Sequence, residues 1–232
     1  MPAGNPQAGA APDTVAIMQP YFLPYAGYFR LFAAADLFVV YDCVQFPRRG
    51  WVHRNRLPDA HGRLAWLTLP LAKAPREARI ADMRLAPDAS TRLDEQLPRF
   101  PSLRSPGTQP AARALIQALA PRESALCDYL ERVLRACCDA LGLPFRVLRS
   151  SSLGIDPALR GADRIVAIAR ALGARRYVNA PGGRALYDAG HFAANGLELR
   201  FLTDYPGAPT SILQRLAAEP AEAVAAEIRA AP

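Results

Sequence analysis

The chain has 232 residues, 51% hydrophobic and 21% charged, with a formal net charge of +7. That is ordinary globular usage and enough sequence to bury one sizeable core or two small ones. No run of five like charges occurs, which argues against a nucleic-acid patch, and no stretch of eighteen apolar residues occurs, so no membrane-spanning helix is expected.

Residues 1–13 lack both the basic start and the apolar run of a signal peptide. They read as a disordered lead, which places the protein in the cytoplasm, with residues 14–230 as one domain. Thr14 to Met18 reads as a short buried strand, ended by Gln19-Pro20 because proline cannot donate to a ladder. After a loop at Tyr21 to Pro24, Tyr25, Phe29 and Phe32 recur at helical spacing. The continuous apolar run Leu37 to Tyr41 suits a strand covered on both faces. Strand, helix and strand within about thirty residues make a βαβ unit with a right-handed crossover.

Asp42 to Asn55 reads as a polar loop and Leu64 to Leu71 as a further strand. Residues 72–110 are punctuated by proline and read as irregular, with a short strand at Arg79 to Leu85. Helical periodicity runs over 111–141, broken at Pro121, with Leu126, Leu130, Val133, Leu134 and Cys137 on one face. Then come a strand at Phe145 to Leu148, a helix at Ala162 to Leu172 stopped by Gly173, a strand at Arg176 to Val178, and a short helix starting at Ala185. A strand at Leu197 to Leu202 and helices at 211–216 and 221–229 complete the pass. The alternation predicts an α/β fold: a mostly parallel sheet with flanking helices in a Rossmann-like three-layer arrangement.

Ligands of open parallel sheets bind beyond the carboxyl ends of the strands, so three loops should share one rim: Gln19 to Pro24, Asp42 to Asn55, and Asn179 to Gly183. The first offers the Gln19 amide and the hydroxyls of Tyr21, Tyr25 and Tyr28. In the second, Asp42 ends a hydrophobic strand and is the candidate catalytic carboxylate. Around it, Arg48, Arg49 and Arg54 supply forks for an anion, Trp51 a stacking face, and Gln45 and Asn55 hydrogen bonds. In the third, Asn179 orients polar groups while Gly182 and Gly183 let the backbone approach a ligand. Ser151 and Ser152, at another strand end, are hydrogen-bonding candidates. The positive charge reads as single arginines scattered along the chain, Lys73 being the only lysine, which suits an anionic small molecule such as a sugar nucleotide or an acyl donor.

Cys43, Cys127, Cys137 and Cys138 form no CxxC pair, and His53, His61 and His191 have no ligand spacing, so the cysteines read as reduced and no metal is expected. Any cofactor and the oligomeric state are left open.

The run Met18 to Phe29 (MQPYFLPYAGYF), Tyr41 to Phe46 (YDCVQF) and Arg49 to Arg56 (RGWVHRNR) together resemble the WbqC-like protein family. Trp66 to Pro70, Ser151-Ser152 and Tyr177 to Gly183 continue the likeness, which spans residues 14–216. The chain departs from the family pattern at Met18, where many members have histidine, at Cys43, where they have aspartate, and at Gln214, where an aspartate is frequent. The resemblance implies a role in surface-polysaccharide or O-antigen clusters and, from one member, glycine transfer. A fainter likeness, to pantothenate synthetases and nucleotidyltransferases, lacks their histidine pair, with Tyr25 and Tyr28 at those places. Three readings follow: a transferase of a glycyl or other small acyl group, an ATP-dependent ligase or nucleotidyltransferase, and a non-catalytic binding protein of a polysaccharide assembly.

Overall fold

The computed structural model describes residues 11–104 and 109–230. Residues 1–10 of the expected lead and 105–108 of the proline-rich stretch lie outside it. Five strands, β1 (Thr14–Met18), β2 (Leu37–Val40), β5 (Val147–Arg149), β6 (Arg176–Asn179) and β7 (Glu198–Phe201), form an all-parallel sheet in the order β5-β2-β1-β6-β7. Taken in order of appearance within this sheet, that is 3-2-1-4-5, the order in which the connections reverse direction between the first and fourth strands. Here the reversal lies between β1 and β6.

Strand alternation divides the core. Val15, Ile17, Val39 and Tyr177 enter one cluster with Ile165 and Ile168 of helix α6 (Gly161–Ala171) and Phe192 of α7 (Ala189–Ala194). Ala16, Phe38, Val40 and Val178 enter a larger cluster on the other face, which includes α1 (Arg30–Ala34), α5 (Leu126–Ala140), α8 (Ile212–Ala218) and α9 (Ala221–Ala230). The in-register pairs Val15–Tyr177 and Ala16–Val178 keep each set on its own side. The result is the three-layer α/β arrangement. Phe32 stacks on Phe38 with ring centroids 4.1 Å apart, fastening α1 to the sheet.

Several elements differ from the sequence reading. The strand expected over 64–71 ends at Thr68 and stands apart from the parallel sheet. As β4 (Leu64–Thr68) it pairs antiparallel with β3 (Arg54–Pro58), an unpredicted strand whose first two residues fall at the end of the predicted polar loop. Arg79 to Leu85 is a single 3-10 turn at Ile80–Asp82, tied by bridges at Arg79 and Leu85. The stretch read as irregular holds α2 (Ala89–Asp94) and α3 (Pro101–Arg104). The break at Pro121 separates α4 (Pro110–Gln117) from α5, whose buried face is the predicted one. Gly142 and Gly173 follow α5 and α6 at φ +59° and +69°, left-handed stops that glycine adopts readily.

Candidate functional site

The loops after β1 and β6 diverge at the reversal point, and a crevice of about 440 Å³ opens between them. It is large enough for a small molecule. Gln19, Tyr21, Tyr28, Asn179, Gly182 and Gly183, all predicted site residues, line it. Tyr28 donates to the Gln19 carbonyl at 2.8 Å, tying the 3-10 turn before α1 to the end of β1. The Asn179 side-chain oxygen accepts from the Ala180 amide at 2.8 Å. Its Nδ2 makes no hydrogen bond among the described residues. Gly183 allows this closeness, since a Cβ there would stand 2.2 Å from Asn179 Nδ2, whereas a Cβ on Gly182 meets nothing within 4 Å.

Tyr25, Tyr41, Tyr177 and Tyr187 complete a wall of six tyrosines. Tyr41, Tyr177 and Tyr187 were missed by the sequence reading. Burial raises the phenol pKa of all six, that of Tyr41 to about 12. They are therefore neutral hydrogen-bonding groups at physiological pH. Arg164, also missed, lies near Tyr41 and donates to the carbonyls of Pro157 at 2.9 Å and Cys43 at 3.5 Å. No charged side chain lines the crevice among the described residues.

The other predicted residues lie elsewhere. Asp42 is fully buried and does not line the crevice. Its Oδ1 accepts from Ser150 Oγ at 3.0 Å and from the Ser151 amide at 2.9 Å, and its Oδ2 accepts from Ser151 Oγ at 2.7 Å. Ser150 Oγ in turn accepts from the Asp42 and Cys43 amides. The knot joins the end of β2 to the end of β5. Ser152 Oγ donates to the Arg149 carbonyl. Asn55 and Trp51 border a second cavity of about 220 Å³, which shares Tyr21 and Tyr25 with the crevice. Gln45, Arg48 and Arg49 line a separate shallow depression. There Gln45 donates to the Arg76 carbonyl, and Arg48 to the carbonyls of Ala74 and Pro75. Arg54 lies over the Trp66 ring at 4.2 Å.

Burial pushes the Cys127 thiol up to about 12 and raises those of Cys137 and Cys138, which disfavours the reactive thiolate form. Among the described residues no group of three or more His, Cys, Asp or Glu could hold a metal ion.

Burial, with Arg54 adding to it, holds the His53 imidazole down at about 4. Its Nδ1 is buried without a hydrogen-bond partner among the described residues. The unfolded chain binds this proton near pH 6.5 and the folded chain only near 4, so stability should fall as pH drops through that window. The gap corresponds to about 3 kcal/mol, and solvent screening of a partly exposed ring reduces it to about 1–2 kcal/mol. In urea unfolding at pH 7 and pH 4.5, His53→Gln is expected to lose less stability on acidification than the parent by that amount.

The strand order and the flanking helices define a three-layer α/β protein with a crevice beyond the carboxyl ends of its strands, at the reversal point. Residues 19–210 match the model of the WbqC-like protein family, and the chain belongs to that family. It is 26% identical over 195 residues to the uncharacterized protein Rv1507c of Mycobacterium tuberculosis, covering 83% of each chain. No solved structure matches it.

Proposed function

We propose that the protein is a transferase that seats an uncharged, hydroxyl-rich ring, such as a sugar, in the crevice and exchanges a small acyl or glycyl group with it. One observation carries this reading: the cavity at the reversal point is walled by neutral phenols and the Gln19 and Asn179 amides, with no charge to match an ionic group. Phenols and amides both donate and accept, and aromatic walls pack against ring faces. Gly182 leaves room for the ligand at the backbone. Asp42 acts as a positioning group that locks the β2 and β5 ends together, and Arg48, Arg49 and Arg54 serve outside this compartment. The glycyl group and the polysaccharide setting rest on the family resemblance.

Gly182→Ala provides the test, because the added methyl meets no protein atom yet projects where the ligand is placed. Calorimetric titration with sugars, sugar nucleotides and glycyl or acetyl donors should find a ligand whose affinity falls at least about tenfold in this variant, with the melting temperature unchanged. Equal affinity in both proteins would remove the ligand from the crevice. The strand order also favours a nucleotide, the second reading. Stabilisation by ATP with magnesium and release of pyrophosphate would support it over acyl transfer.

A further inference from the structure

The positive charge is less scattered than its spacing in the sequence suggested. Between Gln45 and Arg79 there are eight Lys and Arg against two Asp and Glu, a net +6 in a chain of net +7. This segment contains the β3–β4 hairpin. It also carries both tryptophans of the chain, Trp51 and Trp66, which are 39% and 36% exposed. With Leu64, 58% exposed, they are three of the four exposed large hydrophobic residues among those described.

Pairing register explains the arrangement. Asn55 and Leu57 of β3 and Ala65 and Leu67 of β4 are buried. The alternate positions, Arg54 and Arg56 facing Thr68 and Trp66, turn outward, with Leu64 opposite Pro58 at the end of the ladder. The Arg56 guanidinium lies 4.9 Å from the Trp66 ring and 5.6 Å from that of Trp51, and the two indoles are 5.5 Å apart. Neither Arg54 nor Arg56 has a carboxylate partner among the described residues. The indole rings hold both guanidinium groups in place.

We propose that this outer hairpin face is a docking surface for an anionic lipid membrane, independent of what occupies the crevice. A soluble polyanion would satisfy the guanidinium groups but leave Leu64 and the indole edges in water. At a lipid headgroup boundary the guanidinium groups meet phosphates while tryptophan and leucine enter the apolar margin, the position tryptophan favours at membrane surfaces. Charge and apolar exposure thus select the same partner.

The two tryptophans make the test direct, since tryptophan fluorescence, excited selectively over tyrosine, reports only from this face. The full chain, mixed with vesicles of equal parts phosphatidylcholine and phosphatidylglycerol, should co-float with them and shift its emission to the blue. Vesicles of phosphatidylcholine alone should retain far less. Arg54→Gln/Arg56→Gln should lower the partition coefficient about twenty-five-fold, on the basis of about fivefold for each basic residue near an anionic surface. Leu64→Asp, at a solvent-exposed position, should reduce both flotation and the blue shift while leaving the melting temperature unchanged. The proposal is overturned by absence of flotation, or by flotation that Leu64→Asp does not change. An equal blue shift with a single-stranded oligonucleotide would reassign the face to nucleic acid. A blue shift on concentrating the protein alone would reassign it to a second copy of the chain.

Discussion

Asp42→Ala is expected to cost about 3–5 kcal/mol of folding stability, because it removes a fully buried carboxylate from three donors at once. The Ser151 amide and the hydroxyls of Ser150 and Ser151 lose their acceptor; exposed Ser151 can turn to water, but the buried Ser150 hydroxyl cannot. The loss also loosens Ser150, whose oxygen serves the Asp42 and Cys43 amides. Asp42→Asn separates positioning from proton transfer. Its carbonyl oxygen can still accept from Ser150 Oγ and the Ser151 amide, and Ser151 Oγ can rotate to accept from the new amide, so about 1–2 kcal/mol should be lost. Urea unfolding of the two variants checks the difference. If the asparagine variant keeps full stability and crevice binding but loses turnover, Asp42 returns to the role of base.

The same aspartate shows how far the sequence could be read. The buried runs TVAIM and LFVVY imply strands covered on both sides, and so a parallel sheet with a common ligand rim. From that rim Gln19, Tyr21, Tyr28, Asn179, Gly182 and Gly183 could be placed together, and the structure puts them around one crevice. Alternation along β2 held the next clue. Val39 packs with the α6–α7 cluster, as does Tyr41 two residues on, while Asp42, the next residue, falls to the other side and meets Ser150. Applying the two-residue period from Val39 would have selected Tyr41, and from Asn179 back would have selected Tyr177. The hairpin was harder to read. Its first strand, Arg54–Pro58, carries two arginines and a proline, and its outward residues are stabilised by indole rings from Trp51 and Trp66 that no local pattern announces. Asn55 was illegible for a further reason: its partners are backbone carbonyls, which side-chain identity does not encode.

Those carbonyls make Asn55→Asp the most informative substitution beside the smaller cavity. Leu23 is fully buried at φ +48°, a left-handed conformation that costs a leucine about 1–2 kcal/mol. It persists because its surroundings pin it. Asn55 Nδ2 donates to the Phe22 carbonyl at 3.1 Å and to the Leu23 carbonyl, and Ser211 Oγ donates to the Leu23 carbonyl at 2.9 Å. The Phe22 amide donates to Trp51, and the Ile212 amide to Pro24. This strained loop carries Tyr21 between the crevice and the smaller cavity. Asn55→Ala should therefore lose about 2–4 kcal/mol. Asn55→Asp has the same size and still accepts from the Arg56 amide, the 2.7 Å bond made by Asn55 Oδ1, but it turns a carboxylate oxygen toward two carbonyls. At neutral pH it should be at least as destabilising as alanine, and the folded fraction should bind any crevice ligand more weakly because Tyr21 is no longer held. A stable Asn55→Asp protein with intact binding would show that the donor role is dispensable and would leave the Asn55 amide free to serve a ligand.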